Sequence, residues 1–440
     1  MLPSMFKPSS YTSSSVINEK SMSENLSEVL FAEKFNVRET STLIKNSGSK
    51  KNNKLYNTSM DGEEQSGWYR LIKLMQWTWQ GLDIIDCYEV LAKISASTNP
   101  RSDDDLLDTV IGFRSGNWSY EWSKKAMHFQ KEANDYAKHN HKEQAKKAYY
   151  IASQFYSIAS YPHLKGDENS IQAQTLAFSN YKNAFEQDEN TLLKEINVPY
   201  KGKNIRCYLH LPNDDMIYPV VIVSSGVDAL QCDLQPLFEK QLKPAGIAML
   251  TVDMPGVGFS SHLKLEQDTS QLHQAVLHYM KEVPWVDQAR MSVMGMRMGG
   301  NIANRLAYLE PQLVRTVVSV GAAVGSVFDN FDNFSKLPPM TLDCLASRMQ
   351  MNYSDAKSLF QHCVPFSLVK QGLLRHRRIK TPLLSIGHAQ DIMCNEQDLK
   401  LIAGASYASE SKIIDKPPIF ASYLKSLEYS AQWLTQHLQE

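Results

Sequence analysis

Apolar and polar positions change their rhythm twice along this chain of 440 residues. Up to about residue 66 the apolar positions show no period. The stretch is rich in Ser, Asn, Lys and Glu, and KNSGSKKNNK (45–54) is polar and basic throughout. Such a segment buries too little apolar surface to offset the entropy lost on ordering, so residues 1–66 are expected to be disordered, with one short helix near Leu26–Phe35. From Trp68 the rhythm becomes helical. WYRLIKLMQWTWQGLD sets Leu71, Leu74, Met75 and Trp79 at helical spacing. Further on, AKKAYYIASQFYSIASYP and IQAQTLAFSNYKNAF read as two antiparallel helices joined by a Pro/Gly/Asp/Asn turn. No 34-residue repeat accompanies them, and Trp118, Tyr120 and Trp122 read as core before they read as a ligand cleft. The expected helical domain runs over 67–190.

The second change falls near residue 192. KEINVPYKGKNIRCYLHLP alternates as a hairpin does, with Lys201-Gly202-Lys203 in the turn. Short apolar runs then alternate with helix-length segments: VVIVSS (220–225), IAMLTVD (247–253), MSVMG (291–295), TVVSVG (316–321) and LLSIG (383–387). That order predicts a mostly parallel sheet with helices on both faces over 191–440, closed by an amphipathic helix at YLKSLEYSAQWLTQHL.

Composition narrows the functions. Net charge is −1, which gives no general field for nucleic acid or an anionic membrane. No apolar run reaches the length of a membrane span, and the start lacks a secretory layout. Six cysteines lie scattered without CxxC spacing, which reads as reduced thiols in a cytoplasm and offers no metal site. No cofactor is expected.

Ligands of open α/β sheets sit at the carboxyl ends of strands. After VVIVSS comes Gly226-Val227-Asp228, and after IAMLTV comes DMPGVGFS. After MSVMG comes Met296-Arg297-Met298-Gly299-Gly300, and after LLSIG comes His388-Ala-Gln-Asp391. In that order these are the parts of an α/β hydrolase: a turn giving one oxyanion N–H (Gly226, Val227), a loop, a nucleophile elbow, and a late acid. Gly295, Gly299 and Gly300 fit the tight strand-to-helix turn, with Met298 and Gly299 as the second anion-binding element. The residue on the elbow, however, is Arg297. A guanidinium is no nucleophile, and no histidine follows the acid in SKIIDKPPIFASYLK. A cation at a helix N-terminus opposes the macrodipole and calls for an anion. Asp391 first and Asp228 second are the expected partners. Arg297, Asp391 and Asp228 are the candidate site, either as a structural ion pair or as a clamp for a carboxylate or phosphate. Ser260, Ser224 and Ser225 are weaker candidates, Met294, Met296 and Met298 read as core, and Arg375-His376-Arg377-Arg378 reads as a solvated loop.

Long strings of the chain — WQGLD, GFRSGNWSYEW, YPHLKGD, SSGVDALQCD, VDMPGVGFSS, HQAVL, G-x-R-x-G-G-N and LDCLASR — resemble the FrsA family, the fermentation–respiration switch proteins of gamma-proteobacteria. The resemblance begins near Met22 and leaves residues 1–21 outside. It implies an α/β hydrolase with a helical N-terminal region, acting as a carboxylesterase on carboxylic esters. It also implies a link to the glucose-specific EIIA protein of the sugar phosphotransferase system and so to control of fermentation versus respiration. Arginine at the elbow matches the family's pattern. The alternative is a hydrolase fold without catalysis, serving as a regulatory binding protein for that EIIA partner.

Overall fold

The computed structural model describes residues 57–58, 61–389, 391–414 and 419–439. The expected helix near Leu26–Phe35 and most of the segment expected to be disordered lie outside those residues. The tail of that segment does not fit the expectation. Strand β1 (Asn57–Thr58) pairs antiparallel with β2 (Gly62–Glu63), and Glu63 exchanges backbone hydrogen bonds with Ile72 at 2.9 and 3.0 Å. Asp61 ends the turn and Gly62 opens β2, and the order there comes from contacts with distant residues that local composition does not register.

Among the described residues, the helices of six or more residues are α1 (Leu74–Trp79), α2 (Ile84–Ser95), α3 (Trp118–Lys138), α4 (Lys142–Ser160), α5 (Glu168–Glu186), α6 (Gln271–Tyr279), α7 (Met298–Leu309), α8 (Pro339–Arg348), α9 (Ala356–Cys363), α10 (Glu396–Ala403) and α11 (Ile419–Gln439). Side-chain caps set several starts. Asp83, Asn117 and Asp167 each accept backbone N–H groups of the first turn of α2, α3 and α5, satisfying donors that a helix cannot satisfy itself. The run expected to be helical from Leu71 becomes helix only at Leu74, because Ile72 bridges to Glu63; Met75 consequently faces outward, 42% exposed. Trp118 and Trp122 are fully buried, packing on each other, Trp77 and Phe155 as core.

The remaining strands are β3 (Leu192–Tyr200), β4 (Lys203–Leu211), β5 (Tyr218–Ser224), β6 (Ala248–Val252), β7 (Val286–Met296), β8 (Val314–Val320), β9 (Leu383–His388) and β10 (Ser409–Ile414). They form one eight-stranded sheet in the order β10-β9-β8-β7-β5-β6-β4-β3. The β3–β4 and β4–β6 pairs are antiparallel, and the other neighbours are parallel. The central strands read as unbroken apolar runs because both faces are covered. Within β5, Val220 and Ile222 join the core shared with the helical region. Val221 and Val223 join the core on the other face, which α11 closes with Leu427, Leu434 and Leu438. Met291 and Val293 of β7 face the first core and Met294 and Met296 the second, so the methionines flanking the elbow are core.

Buried polar contacts seat the helical region on the sheet. Tyr181 Oη lies 2.6 Å from His210 Nε2, and Ser157 Oγ donates to Asp233 Oδ1 at 2.7 Å. Arg348, fully buried on α8, donates to the carbonyls of Pro162 (2.8 Å), His163 (2.8 Å), Val227 (2.7 Å) and Gly256 (3.1 Å). One guanidinium thereby ties the start of the α4–α5 loop to two loops at the carboxyl ends of β5 and β6.

Candidate functional site

Strand β7 ends at Met296 and α7 begins at Met298, so the whole reversal rests on Arg297, with φ 56° and ψ −116°. That backbone region costs an ordinary residue about 1–3 kcal/mol and persists only where surroundings enforce it. Here Arg297 N donates to Val320 O at 3.0 Å, and its carbonyl accepts from Gly300 (3.0 Å) and Ala323 (3.2 Å). The glycines make the reversal possible. A Cβ on Gly295 would stand 2.0 Å from Gly299 O, and one on Gly299 would stand 2.2 Å from Ser224 O. Both obstacles are backbone and cannot step aside.

The Arg297 side chain is buried. Its Nε donates to Asp61 Oδ1 at 2.7 Å, and its Nη1 donates to Asp391 Oδ2 and to Gly321 O (3.4 Å). Burial works against the charge, but the two carboxylates more than offset it and the guanidinium's pKa moves up. Asp391 follows β9, is 2% exposed in its side chain, and accepts the amide of Met393 on Oδ1 at 2.9 Å. Asp61 is pushed above the usual carboxylate range by burial, held back by Arg297, and pushed up again by Asp391 and Asp228.

The sequence placed Asp391 and Asp228 on Arg297. The structure joins Asp391 to it but gives Asp228 another partner: Lys73 Nζ donates to Asp228 Oδ2 at 2.6 Å. Asp61 takes the place expected of Asp228. The reason is steric as well as electrostatic. Asp228 leaves the β5 turn toward the helical region, where buried Lys73 needs a counter-ion, while the Asp61–Gly62 turn reaches over the elbow. Asp228 still borders the site, since a Cβ on Gly226 would lie 3.2 Å from Asp228 Oδ1 and 3.7 Å from Arg297 Cβ. Val227 sits in the same turn, its carbonyl taken by Arg348 and its side chain buried; Met298 and Gly299 open α7 beside Arg297.

Sequence reading missed Asp61, Lys73, Tyr161 and Arg348. Asp61-Gly62 is a hairpin-type dipeptide and could have been caught as a turn signal. Lys73, one of two cations in WYRLIKLMQW, gave a weaker hint, and Tyr161 and Arg348 lie in YPHLKGD and LDCLASR, strings that carry the family resemblance but no local sign of a role at the site. Lys73 Nζ stands 4.8 Å over the Tyr161 ring, whose hydroxyl is buried with no hydrogen-bond partner among the described residues. Burial raises that phenol's pKa, and the charges of Asp228 and Asp61 raise it further. Lys73, Tyr161, His163 and Asp228 line a narrow cleft whose internal room, about 20 Å³, is near that of one water. The lesser candidates fall away from this chemistry. Ser224 and Ser260 are fully buried, and Arg378 donates to Gly404 O and lies over the Tyr407 ring. Among the described residues no group of His, Cys, Asp and Glu is arranged to hold a metal ion, no helix is long and apolar enough to cross a membrane, and all six cysteines are buried free thiols.

The site therefore has a hydrolase's frame with an ion-pair cluster at its centre, and comparison with known proteins agrees on the frame. The solved structure of 2,6-dihydroxy-pseudo-oxynicotine hydrolase superposes with a TM-score of 0.66 at 16% identity, covering 83% of this chain and 95% of that one. AbyA5 does so with 0.59 at 18% identity, covering 80% and 98%. At such identities these likenesses speak for the fold alone. Sequence similarity goes further. The chain is 40% identical over 414 residues to Esterase FrsA of Photobacterium profundum, covering 94% of this chain and 98% of that one. It is 41% identical over 419 residues to Esterase FrsA of Yersinia pestis (strain Pestoides F), covering 94% and 99%. With a family model described as "Esterase FrsA-like" matching residues 21–439, the chain belongs to the FrsA-like esterase family of α/β hydrolases.

Proposed function

We propose that this protein hydrolyses small carboxylic esters in the cytoplasm, without forming an acyl-enzyme. The observation that carries this reading is Arg297 on the elbow, beside the Gly226-Val227 turn and the N-terminus of α7. A fixed cation at that place stabilises the negative oxygen of a tetrahedral intermediate, the service an oxyanion hole performs. Water then replaces the missing serine. Asp228, steered by Lys73 through Oδ2, presents Oδ1 beside Gly226, where it can accept the proton of an attacking water. The water oxygen bonds to the ester carbon, and the intermediate expels the alcohol, which takes the proton back from Asp228. The carboxylic acid so formed loses its remaining proton to solvent and leaves as a carboxylate against Arg297. Such a mechanism is slow beside a serine triad, whose loss costs about a million-fold in rate. The test is steady-state hydrolysis of nitrophenyl acetate and butyrate by the purified protein beside Arg297→Ala and Asp228→Asn. Turnover above the uncatalysed rate that both variants lose, with no initial burst, is the expected result. Turnover unchanged in both variants would sink the mechanism.

A second reading rests on the closure of the site, since both edges of the Arg297 guanidinium are held by carboxylates of the same chain. On that reading the hydrolase frame is a regulatory binding protein, linked to fermentation versus respiration through the glucose-specific EIIA protein. Absence of any ester turnover together with saturable binding in a calorimetric titration with EIIA would favour it.

A further inference from the structure

Arg297 offers two edges to carboxylates, and the two are held differently. Asp391 is anchored: its Oδ1 also accepts the Met393 and Cys394 amides, and its side chain is sealed at 2% exposure. Asp61 is the more exposed partner at 17%, and it rides on a turn whose strands are two residues each. Its attachment to the rest of the fold includes the two backbone hydrogen bonds between Glu63 and Ile72. The cluster also holds one carboxylate too many. Lys73 and Arg297 face Asp61, Asp228 and Asp391, and burial together with the two neighbouring carboxylates works against the charge on Asp61. An anchored carboxylate on one edge and a tethered, over-neighboured one on the other is the arrangement of a filled but exchangeable position. The Nε edge of Arg297 is taken by Asp61 Oδ1 at 2.7 Å, so a ligand reaches that edge only if Asp61 moves.

We propose that the Nε edge of Arg297 is a binding site for a small monocarboxylate, and that Asp61 is its built-in stand-in, displaced when such a ligand takes the position. The inference deepens the ester-hydrolase reading, because the ligand carboxylate is what ester hydrolysis at Arg297 would leave behind.

The experiment uses the full chain with Asp61→Ala, which empties the position, and acetate as the probe. Melting of Asp61→Ala should rise by about 2–4 °C as sodium acetate is added, the parent, whose Asp61 competes for the position, should rise by less, and the Asp61→Ala/Arg297→Ala double variant should respond no more than it does to sodium chloride of equal ionic strength. Asp61→Asn, nearly isosteric, repeats the measurement should the alanine variant fold poorly. An Asp61→Ala protein indifferent to acetate, or a double variant that responds equally, overturns the proposal. Hydrolysis of nitrophenyl acetate is followed in parallel. Faster turnover by Asp61→Ala than by the parent supports Asp61 as an occupant that must yield; slower turnover without an acetate response makes Asp61 part of the machinery and overturns the proposal. If no variant hydrolyses ester but the acetate response appears as described, the carboxylate site stands and the ester reading falls.

Discussion

Replacing Arg297 by alanine removes the one cation between two carboxylates, and the size of the loss follows from how each is buried. Asp391 cannot be rehydrated without opening the fold, because its side chain is 2% exposed and its other oxygen is bound to the Met393 amide. Breaking a buried pair on one side costs about 3–5 kcal/mol, most of it the stranded charge. Asp61 is less sealed, at 17% side-chain exposure, which limits its share to about 1 kcal/mol, roughly the value of a lost hydrogen bond. Arg297→Ala should therefore destabilise by about 4–6 kcal/mol at pH 7. The left-handed backbone is not relieved, since alanine meets the same φ penalty, so Arg297→Gly should be about 1 kcal/mol more stable than Arg297→Ala. A pH signature separates stranded charge from lost packing. The Asp61 carboxyl already lies above its ordinary pKa, and losing Arg297 removes the attraction that holds it down. A group whose folded pKa is raised above its unfolded value stabilises more as pH falls, so the Arg297→Ala deficit should shrink between pH 7 and pH 5, by at most about 1.4 kcal/mol per pH unit. Urea denaturation at pH 7, 6 and 5 with parent, alanine and glycine variants measures all of this. A deficit under about 1 kcal/mol, or one flat with pH, would refute the reasoning and make Arg297 a residue held by packing alone.

Other expectations follow from single residues. Gly299→Ala sets a methyl 2.2 Å from Ser224 O, so at least about 3 kcal/mol should be lost and the variant should accumulate as aggregate on expression, as a soluble-fraction assay would show. Asp343, buried between the hydroxyls of Tyr69 (2.5 Å) and Tyr353 (2.6 Å), is pushed by burial to about 6. Its contribution is full below the ordinary carboxylate range and fades as pH rises through about 6, so the parent's advantage over Asp343→Asn in thermal melts should grow as pH is lowered from 7 to 4. With no hydroxyl on the elbow, a fluorophosphonate probe should leave residues 293–301 unlabelled in peptide mass mapping; an adduct on Ser260 or Ser225 would restore a serine mechanism. Arg348→Met strands four buried carbonyls and should cost about 3–5 kcal/mol while loosening the helical region from the sheet, visible as faster amide exchange at Pro162-flanking residues.

The sheet and its order of strand ends were legible because they are written locally. A strand buried on both faces has to be apolar at every position, so VVIVSS, MSVMG and LLSIG announce themselves, and Gly295 and Gly299 stand where a Cβ would strike backbone. The mismatch of Arg297 with its elbow was equally plain, because a permanent charge at a helix N-terminus demands an anion wherever it is met. Which anion was another matter. Asp391 could be named because it follows the next strand but one in the sheet, and sheet order constrains it. Asp61 stands 236 positions from Arg297 in a stretch whose composition reads as unstructured, and Lys73 reaches Asp228 across 155. Ion pairs of that separation leave no period and no spacing in the sequence, since a carboxylate in a polar segment looks the same whether it faces water or a buried guanidinium. Only the packing of the helical region against the carboxyl ends of β5, β7 and β9 decided it. That packing sets how much water remains, and the loss of water turns five scattered charges into one coupled cluster.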